Sequence, residues 1–142
     1  MPLGVFMQVM AYLIFCGECE QALTFYQQAL DARLEFMVRF EDSPDQSCYP
    51  KGAERQIMHA SLMIGDSRIM LSDDPEVHHK GHHGFALTIS LKDMSQGRKV
   101  FNALAAGGEV KIPFEQSDWS EGFALVHDQF EIPWMINVAV TQ

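Results

Sequence analysis

The sequence predicts an α+β fold made of two βαβββ modules, related by pseudo-two-fold symmetry around a concave cleft. Three observations lead there. Segments with the two-residue period of strands dominate, and helical spacing occurs twice only, over 20–30 and 94–106. The order strand, helix, strand, strand, strand is completed once near residue 73 and again near residue 140. Sliding the chain by 74 places lays ALDARLEFMVRFE (29–41) over ALAAGGEVKIPFE (103–115), with Ala29/Ala103, Leu30/Leu104, Ala32/Ala106, Glu35/Glu109, Phe40/Phe114 and Glu41/Glu115 identical. Each half is too small to bury both faces of its own sheet, so the halves are expected to share one hollow sheet surface.

Residues 9–15 are an apolar run that fits a buried strand, and 20–30 follow with Ala22, Leu23, Phe25, Tyr26, Ala29 and Leu30 at helical spacing. Residues 34–40 alternate Leu34, Phe36, Val38 and Phe40 against Glu35, Met37 and Arg39, the pattern of a half-buried strand. The stretch 41–55 carries two prolines, a glycine and mixed charges, so it reads as a long loop of the kind that often closes over a ligand. Strands 56–64 and 67–72 meet at Gly65-Asp66, a two-residue hairpin signal. A polar connector with the run HHKGHH follows. The second half supplies a strand at 85–91, a helix at 94–106 that begins after Asp93 and stops at Gly107-Gly108, and strands at 109–114, 122–127 and 134–140. The expected organisation is one domain: module 1 at about 9–73, connector 74–84, module 2 at about 85–140.

Composition narrows the function. The 142 residues hold ten Lys+Arg against nineteen Asp+Glu, a net charge of −9, with 47% apolar residues interspersed among the charges. That excludes a disordered chain. An acidic surface repels phosphate backbones, so no nucleic-acid partner is expected. The opening MPLGVFMQVMAYLIFC lacks a preceding Lys or Arg, has Phe15 where a cleavage site needs a small residue, and is too short to span a bilayer. No membrane partner is expected, and a cytoplasmic location is. Three cysteines cannot all pair within the chain, which favours reduced thiols. No Gly-rich nucleotide loop, Walker motif or G-x-S-x-G elbow is present, an absence that argues against S-adenosylmethionine-dependent methyl transfer.

Strand alternation then selects the candidate chemistry. In 57–64 the set Met58, Ala60, Leu62 and Ile64 suits the helix-covered side, which points His59 and Ser61 into the cavity. In the last strand Trp134, Ile136, Val138 and Val140 form the apolar set, leaving Met135, Asn137 and Ala139 on the other side; Thr88 and Ser90 likewise oppose Leu87 and Ile89. His59 is the expected acid/base and Asn137 its orienting or oxyanion-stabilising amide. Ser61, Thr88, Ser90, Trp119, Phe123 and Met135 are the expected contacts to a small organic ligand, with Tyr49 of the long loop as a further aromatic. The plain reading of His59 is a strand histidine hydrogen-bonded to a neighbour. The HHKGHH run (His78, His79, His82, His83) is a possible adventitious metal binder, and its plain reading is a solvated linker. Cys16-Gly17-Glu18-Cys19 lies between a strand and a helix, the placement of a dithiol redox pair, but Glu18 and Glu20 oppose thiolate formation. Zinc held by Cys16, Cys19 and Cys48 lacks an evident fourth ligand.

The segments ECEQALTFYQQAL, IMHASLMIGDSRIMLSDD, VFNALAAGGEV and WSEGFALVHDQFEIPWMINV give the chain, over about 9–140, a likeness to the vicinal-oxygen-chelate superfamily. That superfamily includes glyoxalase I, extradiol dioxygenases and bleomycin-resistance proteins, and the chain most resembles its PhnB-like branch. The resemblance implies a glyoxalase-like fold, a cleft for a small molecule and a homodimer. Metal-using members place a His at the start of the first strand of each module and a Glu in its last strand. Counting from Tyr26 and Phe101, those positions fall on Ala11 and Ala86, on Asn137, and near Ser72. Such residues disfavour metal-dependent glyoxalase or dioxygenase chemistry, so no metal and no cofactor are expected. Three functions stay open: a metal-independent lyase- or isomerase-type enzyme using His59, a ligand-sequestering protein of the resistance type, and a dithiol redox protein.

Overall fold

The computed structural model of the chain describes residues 7–45, 47, 49–76 and 81–139. Residues 1–6 of the opening run, Cys48, His78, His79 and Val140 lie outside them. The chain divides into two compact units, Met1–His78 and His79–Gln142. The first contains β1 (Tyr12–Phe15), α1 (Cys19–Leu30), β2 (Arg33–Arg39), β3 (Ile57–Ile64) and β4 (Ser67–Asp73). The second contains β5 (Leu87–Leu91), α2 (Met94–Ala105), β6 (Glu109–Ser117), β7 (Ser120–His127) and β8 (Pro133–Ala139). Each forms a four-stranded sheet, ordered β1-β4-β3-β2 and β5-β8-β7-β6, and in each the first strand runs parallel to the last. The predicted α+β class and the repeated βαβββ order both hold.

In the first unit Ala22, Leu23 and Tyr26 of α1 are buried, as are Leu13, Phe15, Ala60, Leu62 and Leu71 on the face it covers. No side chain of the helix itself caps its start. Asp73, at the end of β4, does so from a distance: Oδ1 accepts from the backbone N–H of Gly17 (2.8 Å) and Cys19 (3.0 Å), and Oδ2 from that of Ile57 (3.0 Å). One carboxylate thus ties the first turn of α1, the start of β3 and the end of β4 together, supplying the acceptors that orphan helix N–H groups need.

The second unit caps α2 locally, with Asp93 Oδ2 accepting from the Gln96 N–H at 3.0 Å, as the sequence predicts. Gly97 lets α2 approach its sheet closely, since a Cβ there would stand 2.6 Å from Val138 Cγ2 and 3.1 Å from the Phe114 ring. The alternation read for the closing strand also holds: Trp134, Ile136 and Val138 are buried with Gly122, Ala124 and Val126, while Phe123, Leu125, His127, Met135 and Asn137 are half-buried on the opposite face. Asp128 braces the β7–β8 turn, accepting from the N–H of Phe130 and Ile132 and from Trp134 Nε1 at 2.8, 3.0 and 2.9 Å.

Three expectations are corrected. The first strand begins at Tyr12, not residue 9, and Val9 is 95% exposed. Residues 34–36 are exposed instead of alternating, because β2 is an edge strand and its register slips at Glu35, from Leu34 opposite Leu62 to Phe36 opposite Ser61. Met58 leaves the helix-covered set: Val38 pairs with His59 and Arg39 with Ile57, so Met58 is a bulge and Ile57 takes the fully buried place beside Ala60 and Leu62.

Candidate functional site

Opposite the face that α1 covers, the first sheet presents Tyr12 and Ile14 from β1, Met70 and Ser72 from β4, His59 and Ser61 from β3, and Phe36 and Val38 from β2, an assignment fixed by the pairing registers. His59 is half-buried near the middle of this face. Its Nδ1 lies 3.0 Å from the Tyr12 hydroxyl. The two rings are 5.6 Å apart, and Phe36 flanks the imidazole at 6.1 Å. Nε2 has no hydrogen-bond partner among the described residues. When the phenol donates, the proton sits on Nε2; when Nδ1–H donates to the phenol oxygen, Nε2 is a bare base. Tyr12 therefore orients the ring in either tautomer while leaving the outer nitrogen available.

Ser61 is committed elsewhere. Its hydroxyl donates to Glu35 Oε1 at 3.1 Å, and Arg68 grips the same carboxylate through Nε at 2.7 Å and Nη2 at 3.2 Å. The Arg68 guanidinium first, then the Ser61 hydroxyl, hold Glu35 below the usual carboxylate range. Nearby, a cavity of about 250 Å³ is lined by Ile14, Phe40, Ser72, Asp74 and Pro50, the last from the predicted loop. Tyr49 packs on Phe40, with ring centroids 5.3 Å apart.

In the second unit Ser90 and Phe123 pair with Asn137 on either side, and Thr88 and Leu125 with Met135. Thr88 and Ser90 are exposed. The Asn137 Oδ1 is buried and has no hydrogen-bond partner among the described residues. Trp119, 67% exposed at the β6–β7 turn, stands edge-on to Phe123 at 6.0 Å. His59 and Ser61 thus lie in one unit, and Asn137, Thr88, Ser90, Trp119, Phe123 and Met135 in the other.

The Cys-x-x-C pair stands where the sequence placed it, with Cys16 after β1 and Cys19 opening α1, both as thiols. Burial pushes the Cys19 thiol far up, and the carboxylates of Asp73 and then Glu20 push it further. The group that caps the helix is the one that opposes thiolate formation, and dithiol exchange needs a thiolate.

A model of the Glyoxalase/Bleomycin resistance protein/Dioxygenase superfamily matches residues 8–136. The chain belongs to that superfamily. It is 33% identical over 145 residues to Protein YjdN of Escherichia coli (strain K12), covering 96% of this chain and 98% of that protein. The crystal structure of protein PA1353 from Pseudomonas aeruginosa is 35% identical, with a TM-score of 0.85 over 94% of this chain and 98% of that one. The PhnB protein from Bacillus cereus, at 21% identity and a TM-score of 0.80 over 94% and 100% of the two chains, shares the fold. The glyoxalase-like fold and the superfamily that the sequence suggested are thereby established.

Within this superfamily the metal-ligand positions can now be tested on geometry. Ala11 has the parity of Leu13 and Phe15, which α1 covers, so the open-face residue at the start of β1 is Tyr12; this corrects the sequence count. Ala86, Ser72 and Asn137 do share the open faces of their sheets. None of these four side chains is an imidazole or carboxylate, and among the described residues no three His, Cys, Asp or Glu gather to hold a metal ion. The residues do not fit a divalent metal. Nor is any helix among the described residues long and apolar enough to cross a membrane. The residue that sequence reasoning missed is Tyr12; its one signal was a hydroxyl inside an otherwise wholly apolar strand.

Proposed function

We propose that the chain binds a small organic molecule on the uncovered face of the first sheet and exchanges a proton with it through His59. The observation that carries this reading is the Tyr12 hydroxyl 3.0 Å from Nδ1, which holds the ring and leaves Nε2 without a hydrogen-bond partner among the described residues. An imidazole held this way suits general acid–base work near neutral pH, as in lyase or isomerase chemistry. Phe36 at 54% exposure and Tyr12 at 42% offer apolar surface for the carbon skeleton. Ser61, on the same face, is the proposed polar contact, since its hydroxyl oxygen can still accept a hydrogen bond while donating to Glu35. The reading includes a homodimer, as the family resemblance implies, and a cytoplasmic location, as the opening run of the sequence leads us to expect.

The test is a thermal-shift screen of small organic acids and carbonyl compounds, followed by kinetics on any compound that binds. His59→Ala should abolish turnover while changing affinity little, and Tyr12→Phe should lower kcat by roughly 10²-fold or less with the fold intact. A second reading, sequestration without chemistry, is favoured by the exposed Trp119 edge-on to Phe123, an aromatic surface that needs no base. Binding without turnover, weakened by Trp119→Ala and indifferent to His59→Ala, would replace the first reading with the second.

A further inference from the structure

We infer that the second unit carries a separate site for a small organic acid, an apolar or aromatic carboxylate, walled by His82, His83 and His127. A cavity of about 370 Å³ opens among these imidazoles and Phe85, Leu125 and Met135. That size lies within the usual range for small-ligand pockets, and an apolar lining with a few converging polar groups is their usual chemistry. The histidines come from separate stretches: His82 and His83 precede β5, and His127 ends β7. His82 meets Phe85 edge-on, with ring centroids 6.3 Å apart and planes at 86°, and Phe85 is 43% exposed, which leaves aromatic surface for a ligand to cover. His82 and His83, which the sequence reads as part of a solvated linker, thus form part of a pocket wall.

The ligand class follows from charge. Imidazole donates an N–H in either protonation state, and as a class gains positive charge between pH 8 and 5. In a chain of net charge −9 a carboxylate needs a local group of donors, and three imidazoles around one apolar cavity supply one. The imidazoles do not assemble as joint metal ligands. Other charged groups surround them. Glu109 pairs across the ladder from His127, but Lys111 Nζ lies 3.1 Å from its carboxylate. Asp128 is occupied by the Phe130 and Ile132 N–H groups and the Trp134 indole. Glu131 stands apart: a Cβ on Gly81 would lie 2.7 Å from its Oε2 and 3.5 Å from His83 Nε2, so carboxylate and imidazole flank the same glycine. Glu131 is the internal anion that competes with an incoming acid for His83.

The experiment titrates the full chain with benzoate and with its uncharged analogue benzamide, following the imidazole carbon-bound protons by NMR. Benzoate should shift the His82, His83 and His127 resonances and bind at least about tenfold tighter than benzamide. His127→Gln should lower benzoate affinity about tenfold, and Glu131→Gln should raise it. His59→Ala should leave it unchanged, which separates this site from the one proposed in the first unit. Equal binding of benzamide, shifts confined to His59 and lost in His59→Ala, or no shift at about 10 mM benzoate overturns the inference. So does unchanged affinity in a natively folded His82→Gln/His83→Gln/His127→Gln variant.

Discussion

Replacing Asp73 isolates the cost of a tertiary helix cap. Its carboxylate is 4% exposed and serves the N–H groups of Gly17, Cys19 and Ile57 at 2.8, 3.0 and 3.0 Å. Asp73→Ala removes every acceptor. The Cys19 and Ile57 bonds are buried and that of Gly17 partly so. At roughly 1–3 kcal/mol for each buried group left unsatisfied, and less for Gly17, the loss is about 4 kcal/mol. That is a large part of the total stability of a small protein. Asp73→Asn keeps Oδ1 for Gly17 and Cys19 but turns an NH₂ toward the Ile57 N–H, so about 2 kcal/mol is expected. Urea unfolding followed by circular dichroism reads both. With a slope near 2 kcal/mol per molar, the midpoints should fall by about 2 M and 1 M. An Asp73→Ala midpoint within about 0.5 M of the parent shows that the three bonds contribute little. Equal losses in the two variants show that the charge, not the number of acceptors, matters.

Other outcomes follow from the same geometry. Gly97→Ala gains roughly 1 kcal/mol of helix propensity but overpacks against Val138 and Phe114 at a cost of about 1–3 kcal/mol, so thermal unfolding should show net destabilisation; a more stable variant contradicts the close approach. In the native protein iodoacetamide should label Cys16 and spare Cys19 until urea is added, and equal labelling by peptide mass mapping refutes the buried, raised thiol. Arg68→Gln should bring the Glu35 midpoint, followed by NMR, up toward the ordinary glutamate value. Because the folded state lowers that midpoint, the Glu35–Arg68 contribution is complete above the ordinary glutamate pKa and fades as pH falls through the folded value, and Arg68→Gln should flatten this acid limb. An unmoved Glu35 midpoint shows that Arg68 is not the cause.

What could be read from the sequence was whatever rests on local period and local turn chemistry. Asp93 announces α2 because its own carboxylate caps the helix three residues on, and Gly65, at φ 58°, turns the β3–β4 hairpin because that backbone shape favours glycine. The parity of β8 holds from Trp134 to Ala139, and Asn137 faces where it was expected. Features set by distant partners were hidden. Asp73 reads as the first polar residue after a strand, and only the closed sheet brings it to Gly17 and Ile57. The bulge at Met58 alters facing without changing composition, so no hydrophobic count reveals it. His82 and His83 look like linker because periodicity says nothing about a cavity lined by side chains from the end of β7.

The strand order carries a consequence for synthesis. In either repeat the earliest strand finds its hydrogen-bonding neighbour in the latest, Tyr12 beside Met70 and Leu87 beside Trp134. A nascent chain leaving the ribosome can coil its helix and zip its meander early, yet it must keep the leading strand waiting until the trailing one emerges. Each repeat can then shut within its own half of the message, so two short waits replace a single long one.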